Sequence, residues 1–343
     1  MNRGDWAEIY VILYAILNEK VHLGNEYEEC LESCLEIKNI KLERNKNEYS
    51  FRKENEYIKV YVNGVFKEKF TKEYILSIIE SIYNEIVVEH NRSKNIYVKK
   101  AQELLDRIFE FEKFKEVNKK KHDAKINTNK GELSVNIKSN IYNPPTFLNP
   151  SEATKIAYKI SSIPKSEIEK INLINSNQKI IDRVQYIYKN YDIIPYGVID
   201  KTFKETLITL DKEFESLLSR MLIYSYLYKR KEIEFLTEKI YKGDTSKKEK
   251  VKDLLNELSF NIIPSVSKRF NIERVNGFLY MKRNGEVLYY EADKNETKEL
   301  MYKQLKLETP SANNFDMCRL TCMGDGAIFY LYIQLRMIKK NNK

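Results

Sequence analysis

An acidic residue and a lysine lie at a spacing that could support phosphodiester chemistry in the segment 122–139. The segment predicts two short strands joined by a turn at Asn129-Lys130-Gly131, with Asp123 beginning the first strand and Lys138 on the second. The carboxylate could bind Mg²⁺, which polarises a phosphate and lowers the pKa of an attacking water. The lysine could orient that water and stabilise charge on the phosphorane. A solvated hairpin carrying an ordinary Asp and Lys is the alternative interpretation.

The strand period decides which side chains accompany this pair. Successive residues point to opposite faces, so Ser134, Asn136 and Lys138 share one face while Val135 and Ile137 point into a core. Asn136 therefore stands beside the lysine on the same face, where it could take part in the same chemistry.

Helical and extended patterns alternate irregularly along the rest of the chain. Helical spacing predicts an N-terminal helix capped by Asp5, and further helices over 26–37, 74–86, 101–111, near Ser151 and over most of 166–259. Asn63-Gly64 and Asn284-Gly285 predict two hairpins, the prolines within 142–151 predict a loop, and 327–337 predicts a terminal strand.

This mixture indicates an α/β (α+β) fold. We expect a single large catalytic and binding unit over 1–343, subdivided into a core at 1–160, a largely helical region at 161–260 and a C-terminal hairpin and strand region at 261–343.

Composition excludes several classes of protein. The chain has 343 residues and a net charge of +9, and 42% hydrophobic residues are too many for a disordered chain. No apolar run is long enough to span a bilayer, so we expect a cytoplasmic protein that makes no use of a membrane. Four cysteines without a neighbouring histidine favour free thiols over a zinc site. The sequence has no phosphate-binding glycine loop, so nothing in it indicates nucleotide hydrolysis.

Three blocks of sequence together resemble the HpaII-type restriction endonuclease family. They are Arg3–Val11, then Val135–Ser139 with Phe147–Thr154, and finally Leu305–Ser311 with Tyr330–Arg336. They occur in the order found in that family and reach both ends of the chain. Asp123 with Asn136 and Lys138 is also similar to the PD-(D/E)XK nuclease signature.

The resemblance implies a PD-(D/E)XK nuclease-like mixed central sheet flanked by helices. It also implies Mg²⁺-dependent cleavage of double-stranded DNA at a short palindrome, CCGG for the founding member, and a cognate DNA methyltransferase. A palindromic target suggests a homodimer, although a monomer acting twice is an alternative. The rival interpretations are a non-catalytic nucleic-acid-binding protein and a structure-specific repair nuclease on the same fold.

Asn136 departs from the nuclease signature, which often has a carboxylate at that position, so one metal ligand is missing. Glu8 lies on the first helix, where many such nucleases place an auxiliary carboxylate, and it falls within a family block. Glu152 follows Lys138 by fourteen residues and resembles a ligand that has migrated to the next helix. We favour Glu8 as the second metal ligand beside Asp123, with Glu152 as the other candidate.

Short polar side chains and arginines near the resembling blocks are candidates for DNA contact. Arginine is the commonest reader of guanine in the major groove, and hydroxyl or amide groups can meet phosphates or base edges. The candidates are Ser139, Asn140, Asn143, Thr146, Thr309, Ser311, Arg319 and Arg336, with the basic runs Lys119–Lys121 and Lys339–Lys340 as further phosphate contacts.

Overall fold

The computed structural model of the protein describes residues 1–44, 46–88, 96–109, 122–260, 274–311 and 316–339. These residues group into two compact units. The first comprises the described parts of 1–145 and 273–297, and the second those of 146–272 and 298–343. The three-part subdivision expected from the sequence stays a prediction.

The described residues form ten α-helices and seventeen strands. The helices are α1 (Arg3–Asn18), α2 (Lys72–Tyr83), α3 (Lys99–Phe109), α4 (Lys165–Leu173), α5 (Lys179–Asn190), α6 (Lys201–Leu210), α7 (Phe214–Leu227), α8 (Ile233–Tyr241), α9 (Thr245–Phe260) and α10 (Asn295–Gln304). The strands are β1 (Lys20–Gly24), β2 (Cys30–Glu36), β3 (Asn39–Arg44), β4 (Asn47–Glu54), β5 (Tyr57–Val62), β6 (Val65–Thr71), β7 (Ala124–Thr128), β8 (Gly131–Ser139), β9 (Thr146–Leu148), β10 (Lys155–Ile160), β11 (Ile193–Val198), β12 (Gly277–Met281), β13 (Val287–Glu291), β14 (Leu305–Leu307), β15 (Thr321–Met323), β16 (Gly326–Tyr332) and β17 (Leu335–Met337).

A ten-stranded mixed sheet organises the first unit, in the order β2-β1-β13-β12-β8-β7-β3-β4-β5-β6. β12 runs parallel to β8 and β1 runs parallel to β13, whereas the remaining neighbours are antiparallel. Helices pack on this sheet, and the prediction of a mixed α/β fold with a nuclease-like central sheet is confirmed.

The predicted hairpin around Gly131 is present as β7 and β8. Gly131 has φ +116°, a conformation that glycine tolerates and other residues rarely adopt. The Thr128 hydroxyl accepts from the Lys130 amide at 3.0 Å and donates to the Gly131 carbonyl at 2.9 Å, which closes the turn. Ala124 pairs with Val135, so the start of β7 lies beside the second half of β8.

Helix α1 lies against the sheet and contacts β8 and β12 among other strands. Trp6, Ile9 and Leu13 are buried in the core that the helix shares with the sheet. The helix begins one turn earlier than its predicted cap, because Asn2 accepts from the Asp5 amide and Asp5 accepts from the Asn2 amide. Asp5 is therefore the third residue of a capping box rather than the cap.

Two predicted α-helices are absent from the described residues. The helix expected over 26–37 is the strand β2, which pairs antiparallel with β1. The helix expected near Ser151 is a single 3-10 turn, Glu152–Thr154, followed by β10. In β10 the large buried residues Ile156, Tyr158 and Ile160 share one face, and Lys155, the buried Ala157 and Lys159 share the other, as expected for a strand paired on both sides.

The second unit contains the predicted helical region and two small sheets. Their orders are β11-β10-β16-β15 and β14-β17-β9. The terminal strand expected over 327–337 is divided between them, as β16 in one sheet and β17 in the other, with Ile333 and Gln334 at the break. The helix α7 packs on β11 and accepts a hydrogen bond at its Ser219 carbonyl from the buried Tyr158 hydroxyl.

Candidate active site

Asp123 lies directly before β7 and is bound to the neighbouring strand at two points. Its amide donates to the Val135 carbonyl at 3.0 Å, and its Oδ2 accepts from the Ile137 amide at 2.7 Å. The first bond extends the ladder by one residue, and the second holds the carboxylate against β8. The backbone of the hairpin thus positions the acidic group one residue away from Lys138.

Lys138 follows Ile137 on β8 and is paired in register with Tyr280 of β12. Burial lowers the pKa of Lys138, and the nearby Asp123 carboxylate partly opposes that shift. The opposing charge shows that the lysine and the aspartate share one electrostatic environment. A lysine with a lowered pKa gives up or accepts a proton more readily near neutral pH.

Glu8 comes to the same environment from α1. Its Oε1 accepts from Nη2 of Arg44, the last residue of β3, at 2.7 Å. Burial and, to a smaller extent, the Asp123 carboxylate raise the pKa of Glu8 to about 7, although Arg44 opposes both effects. Asp123 lies near enough to Glu8 and to Lys138 to influence the pKa of each, so these three predicted residues share one electrostatic environment.

Arg44 was missed by the sequence analysis. It lies thirty-six positions from Glu8 and follows no motif, so no local signal could have pointed to it. Its guanidinium group is largely buried and donates to the Glu8 carboxylate and to the Glu43 carbonyl. It supplies the positive charge that favours the ionised form of Glu8.

The donor set can be compared with the needs of a divalent cation. Among the described residues, no group of three or more His, Cys, Asp or Glu side chains is arranged to hold a metal ion. Two carboxylates are nevertheless present, and each has a second oxygen besides the one that accepts from Arg44 or from Ile137. Mg²⁺ is commonly bound by one or two carboxylates together with water and substrate phosphate. Glu8 and Asp123 therefore fit Mg²⁺ as a partial site that substrate would complete.

Glu152 lies in the second unit, in the 3-10 turn rather than on a helix. Its carboxylate accepts from the Tyr332 hydroxyl at 2.6 Å and from the Lys155 ammonium at 3.1 Å, and its side chain is 75% exposed. The hydrogen bond from Tyr332 and the neighbouring Lys155 lower the pKa of this carboxyl. Glu152 thus already has two partners within its own unit.

The candidates for DNA contact in the loop after β8 differ in exposure. Ser139 is partly buried at the end of β8, Asn140 is buried, and Asn143 is exposed. Arg283 donates from Nε to the Asn140 carbonyl at 3.3 Å, which ties the start of the loop to the turn between β12 and β13. Asn143 is the most accessible of the three side chains.

The remaining candidates lie in the second unit. Arg336 donates from Nε to the Thr146 hydroxyl at 3.1 Å, so the structure brings these two predicted residues together. Thr309 is partly buried and donates its amide to Glu308, whereas Ser311 and Arg319 are exposed. The basic residues Lys119–Lys121 and Lys340 lie outside the described residues. All four cysteines are free thiols.

A large mixed sheet flanked by helices, with an aspartate and a lysine on paired strands and a glutamate brought to them by a helix, defines an α/β protein with a nuclease-like core. The sequence profile of the HpaII restriction endonuclease family matches residues 2–337. The chain belongs to this family and is a type II site-specific deoxyribonuclease. The predicted resemblance is confirmed.

One similar protein is a type II restriction enzyme, HpaII of Haemophilus parainfluenzae. The two sequences are 24% identical, and the similarity covers 98% of each chain. No solved structure matches this chain. Within the described residues, no helix has the length and apolar character needed to cross a membrane.

Proposed function

We propose that this endonuclease hydrolyses double-stranded DNA at a short palindromic site in a Mg²⁺-dependent reaction, with Asp123, Glu8 and Lys138 as the catalytic residues. The observation that carries the proposal is the convergence of these side chains. The Asp123 carboxylate accepts from the Ile137 amide at 2.7 Å, Lys138 is the next residue of β8, and Asp123 lies near enough to Glu8 and Lys138 to raise the pKa of each. A CCGG-like target comes from the resemblance to the relative and is part of the same proposal.

Each residue has a distinct part in this chemistry. Asp123 and Glu8 would hold Mg²⁺, which when bound supplies a Lewis acid and lowers the pKa of the attacking water. Lys138 orients that water and stabilises the negative charge that develops on the phosphate. The water oxygen bonds to phosphorus as the bond to the 3′-oxygen breaks; the attacking water loses a proton to solvent and the 3′-oxygen takes one from solvent, which leaves a 5′-phosphate and a 3′-hydroxyl. Asn136 stands on the face of Lys138 and offers a neutral oxygen in place of the usual carboxylate.

Glu152 is retained as the second candidate for the missing ligand. Its bonds to Tyr332 and Lys155 would have to be shared or broken for it to bind a metal. Only one carboxylate oxygen of Glu8 accepts from Arg44, so the other oxygen could bind a metal. Asp123 also lies near enough to raise the pKa of Glu8. We therefore favour Glu8.

The proposed palindromic target has consequences for partners. A homodimer would match the two-fold symmetry of the DNA, and a cognate DNA methyltransferase would protect the host site. Membership in an endonuclease family counts against a non-catalytic binding protein. A repair nuclease on the same fold would cut at a DNA structure rather than at a sequence.

Digestion of a mapped plasmid by the purified protein tests the proposal. With Mg²⁺ we expect discrete fragments whose ends share one short palindrome, and EDTA should abolish them. Lys138→Ala purified in the same way controls for contaminating nuclease. Fragments without a common sequence, or cutting only at mismatches or branched DNA, would support the repair alternative. Cutting that persists in EDTA would contradict the metal site.

A further inference from the structure

The guanidinium group of Arg3 has an edge of two donors without an acceptor. Arg3 is the first residue of α1, and its Nε and Nη2 are both covered and have no hydrogen-bond partner. These nitrogens lie on one side of the planar group and donate in parallel. Covered donors without acceptors are costly, so this arrangement indicates a ligand that the protein alone does not provide.

The same group is held in place from two directions. The Tyr142 ring lies 4.5 Å from the guanidinium carbon and covers a face of the plane. The Asn2–Asp5 capping box holds the first turn of α1, from which the Arg3 side chain extends. A cation at a helix N-terminus is also opposed by the helix dipole. The free protein therefore orients this cation at an electrostatic cost and leaves its donor edge unused.

Arg3 and Tyr142 belong to the two segments that carry the proposed catalytic residues. Arg3 precedes Glu8 by five residues on α1, about 7.5 Å along the helix axis. Tyr142 follows Lys138 by four residues, and between them Asn140 has a covered Oδ1 that also lacks a hydrogen-bond partner. Two unsatisfied polar groups thus lie within five residues of proposed catalytic residues along the chain.

We propose that Arg3 binds a backbone phosphodiester of duplex DNA next to the bond that is cleaved, donating from Nε and Nη2 to its two non-bridging oxygens. This inference rests on the proposed function. Parallel donors from arginine match the paired oxygens of a phosphate, which lysine meets only as a point charge. Tyr142 is 58% exposed and serves as the platform on which the guanidinium group stacks.

The test compares two substitutions at this position. Arg3→Lys keeps the charge and removes the paired donors, whereas Arg3→Met removes both. Binding of the full-length protein to a duplex containing its own site is measured by fluorescence anisotropy over a range of salt, with Ca²⁺ replacing Mg²⁺ to prevent cleavage. We expect Arg3→Lys to bind about tenfold more weakly with an unchanged salt slope. Arg3→Met should bind more weakly still, with a slope smaller by about one.

A matched control tests whether the weaker DNA binding of the Arg3 variants is specific to Arg3 or follows the loss of any arginine stacked on a tyrosine. Arg52 lies on strand β4, and its guanidinium carbon is 4.9 Å from the centre of the Tyr61 ring. Arg52→Lys therefore removes the same kind of contact elsewhere in the first unit. Its DNA affinity should stay within about twofold of the wild type. Tyr142→Leu changes an exposed loop residue and should fold even if Arg3→Met does not; we expect weaker binding at an unchanged slope.

Defined results would overturn the inference. Arg3→Lys binding as tightly as Arg52→Lys would remove Arg3 from the DNA interface. A changed base preference at one position, with the Arg3→Met slope unaltered, would assign Arg3 to guanine rather than to phosphate. If the wild type neither binds nor cuts duplex DNA, the proposed function itself has failed. If it does both and only the Arg3 comparison is flat, this inference alone has failed.

Discussion

At the scale of single residues, a substitution of Lys138 should affect DNA cleavage without affecting DNA binding. It acts on water and phosphate, so Lys138→Ala should reduce the cleavage rate by several orders of magnitude while DNA binding stays within a few fold. Plasmid cleavage with Mg²⁺ and gel-shift binding with Ca²⁺ measure the two effects. Lys125→Ala on β7 is the control, because Lys125 pairs with Glu132 at 3.1 Å on the same hairpin. Near-normal cleavage by Lys138→Ala would remove the lysine from the active site.

The two candidate carboxylates give a second residue-scale prediction. Glu8→Gln should reduce the cleavage rate by several orders of magnitude and weaken Mn²⁺ binding in the presence of DNA, because a metal ligand is lost. Glu152→Gln should cost about tenfold or less in rate, since it loses a surface contact with Lys155 and Tyr332. The reverse ranking would assign the migrated glutamate and move the site. If neither substitution matters, the metal is held elsewhere.

Glu308 provides a prediction about pH and stability. Burial raises the pKa of this carboxyl, but hydrogen bonds and charge from Lys306 and Lys231 outweigh it and lower the value to about 2. A folded-state pKa below the unfolded value contributes stability above the unfolded pKa, near 4.5, and the contribution is lost as the pH falls through about 2. Glu308→Gln should therefore lower the free energy of unfolding by about 1–2 kcal/mol at pH 7 and by much less near pH 2. This is less than the full pKa shift would give, because solvent screens the partly exposed ion pairs.

Urea denaturation followed by circular dichroism at several pH values measures the Glu308 effect. Glu205→Gln is the control, because Glu205 meets Lys201 only at 3.8 Å on an exposed helix surface. A pH-independent difference between Glu308→Gln and the wild type would show that the ion pairs do not stabilise the folded state.

At the scale of elements, α1 carries both Glu8 and Arg3, so the order of its first turn should affect function. Asn2→Ala removes the cap and should cost about 1 kcal/mol of helix stability. Faster hydrogen exchange confined to the start of α1, together with slower DNA cleavage, is the expected result. Thr71→Ala removes the corresponding cap of α2, where Thr71 accepts from the Tyr74 amide, and should leave cleavage unchanged. Equal loss of cleavage in both variants would contradict a special role for α1.

The elements also show where sequence periodicity is sufficient. The hairpin with Asn63-Gly64 and the strands β7 and β8 follow from turn residues and a period of two, both of which are local properties. Helical spacing predicts a helix over 26–37, whereas pairing with β1 makes β2 a strand. Partners distant in the chain are invisible to local periodicity.

At the scale of the whole molecule, net charge predicts a strong response to salt. A protein of charge +9 that makes about six phosphate contacts should release condensed counterions on binding. The slope of log affinity against log salt should then be near −5. Titrations of a duplex with the target palindrome, and of one without it, between low and physiological salt measure the slope. A flat response would count against duplex DNA as the ligand.

The sequence by itself determined the mixed fold class, the family, the Asp123–Lys138 hairpin and Glu8 as a candidate. These conclusions rest on turn residues, on a strand period of two and on the order of sequence blocks along the chain. All three depend only on the order of residues in the sequence. Only the tertiary structure decided that Glu8 shares an electrostatic environment with Asp123, that Arg44 pairs with Glu8, and that Arg3 stacks on Tyr142. Those contacts join residues from separate elements, and their positions depend on sheet order and helix packing, which no local pattern encodes.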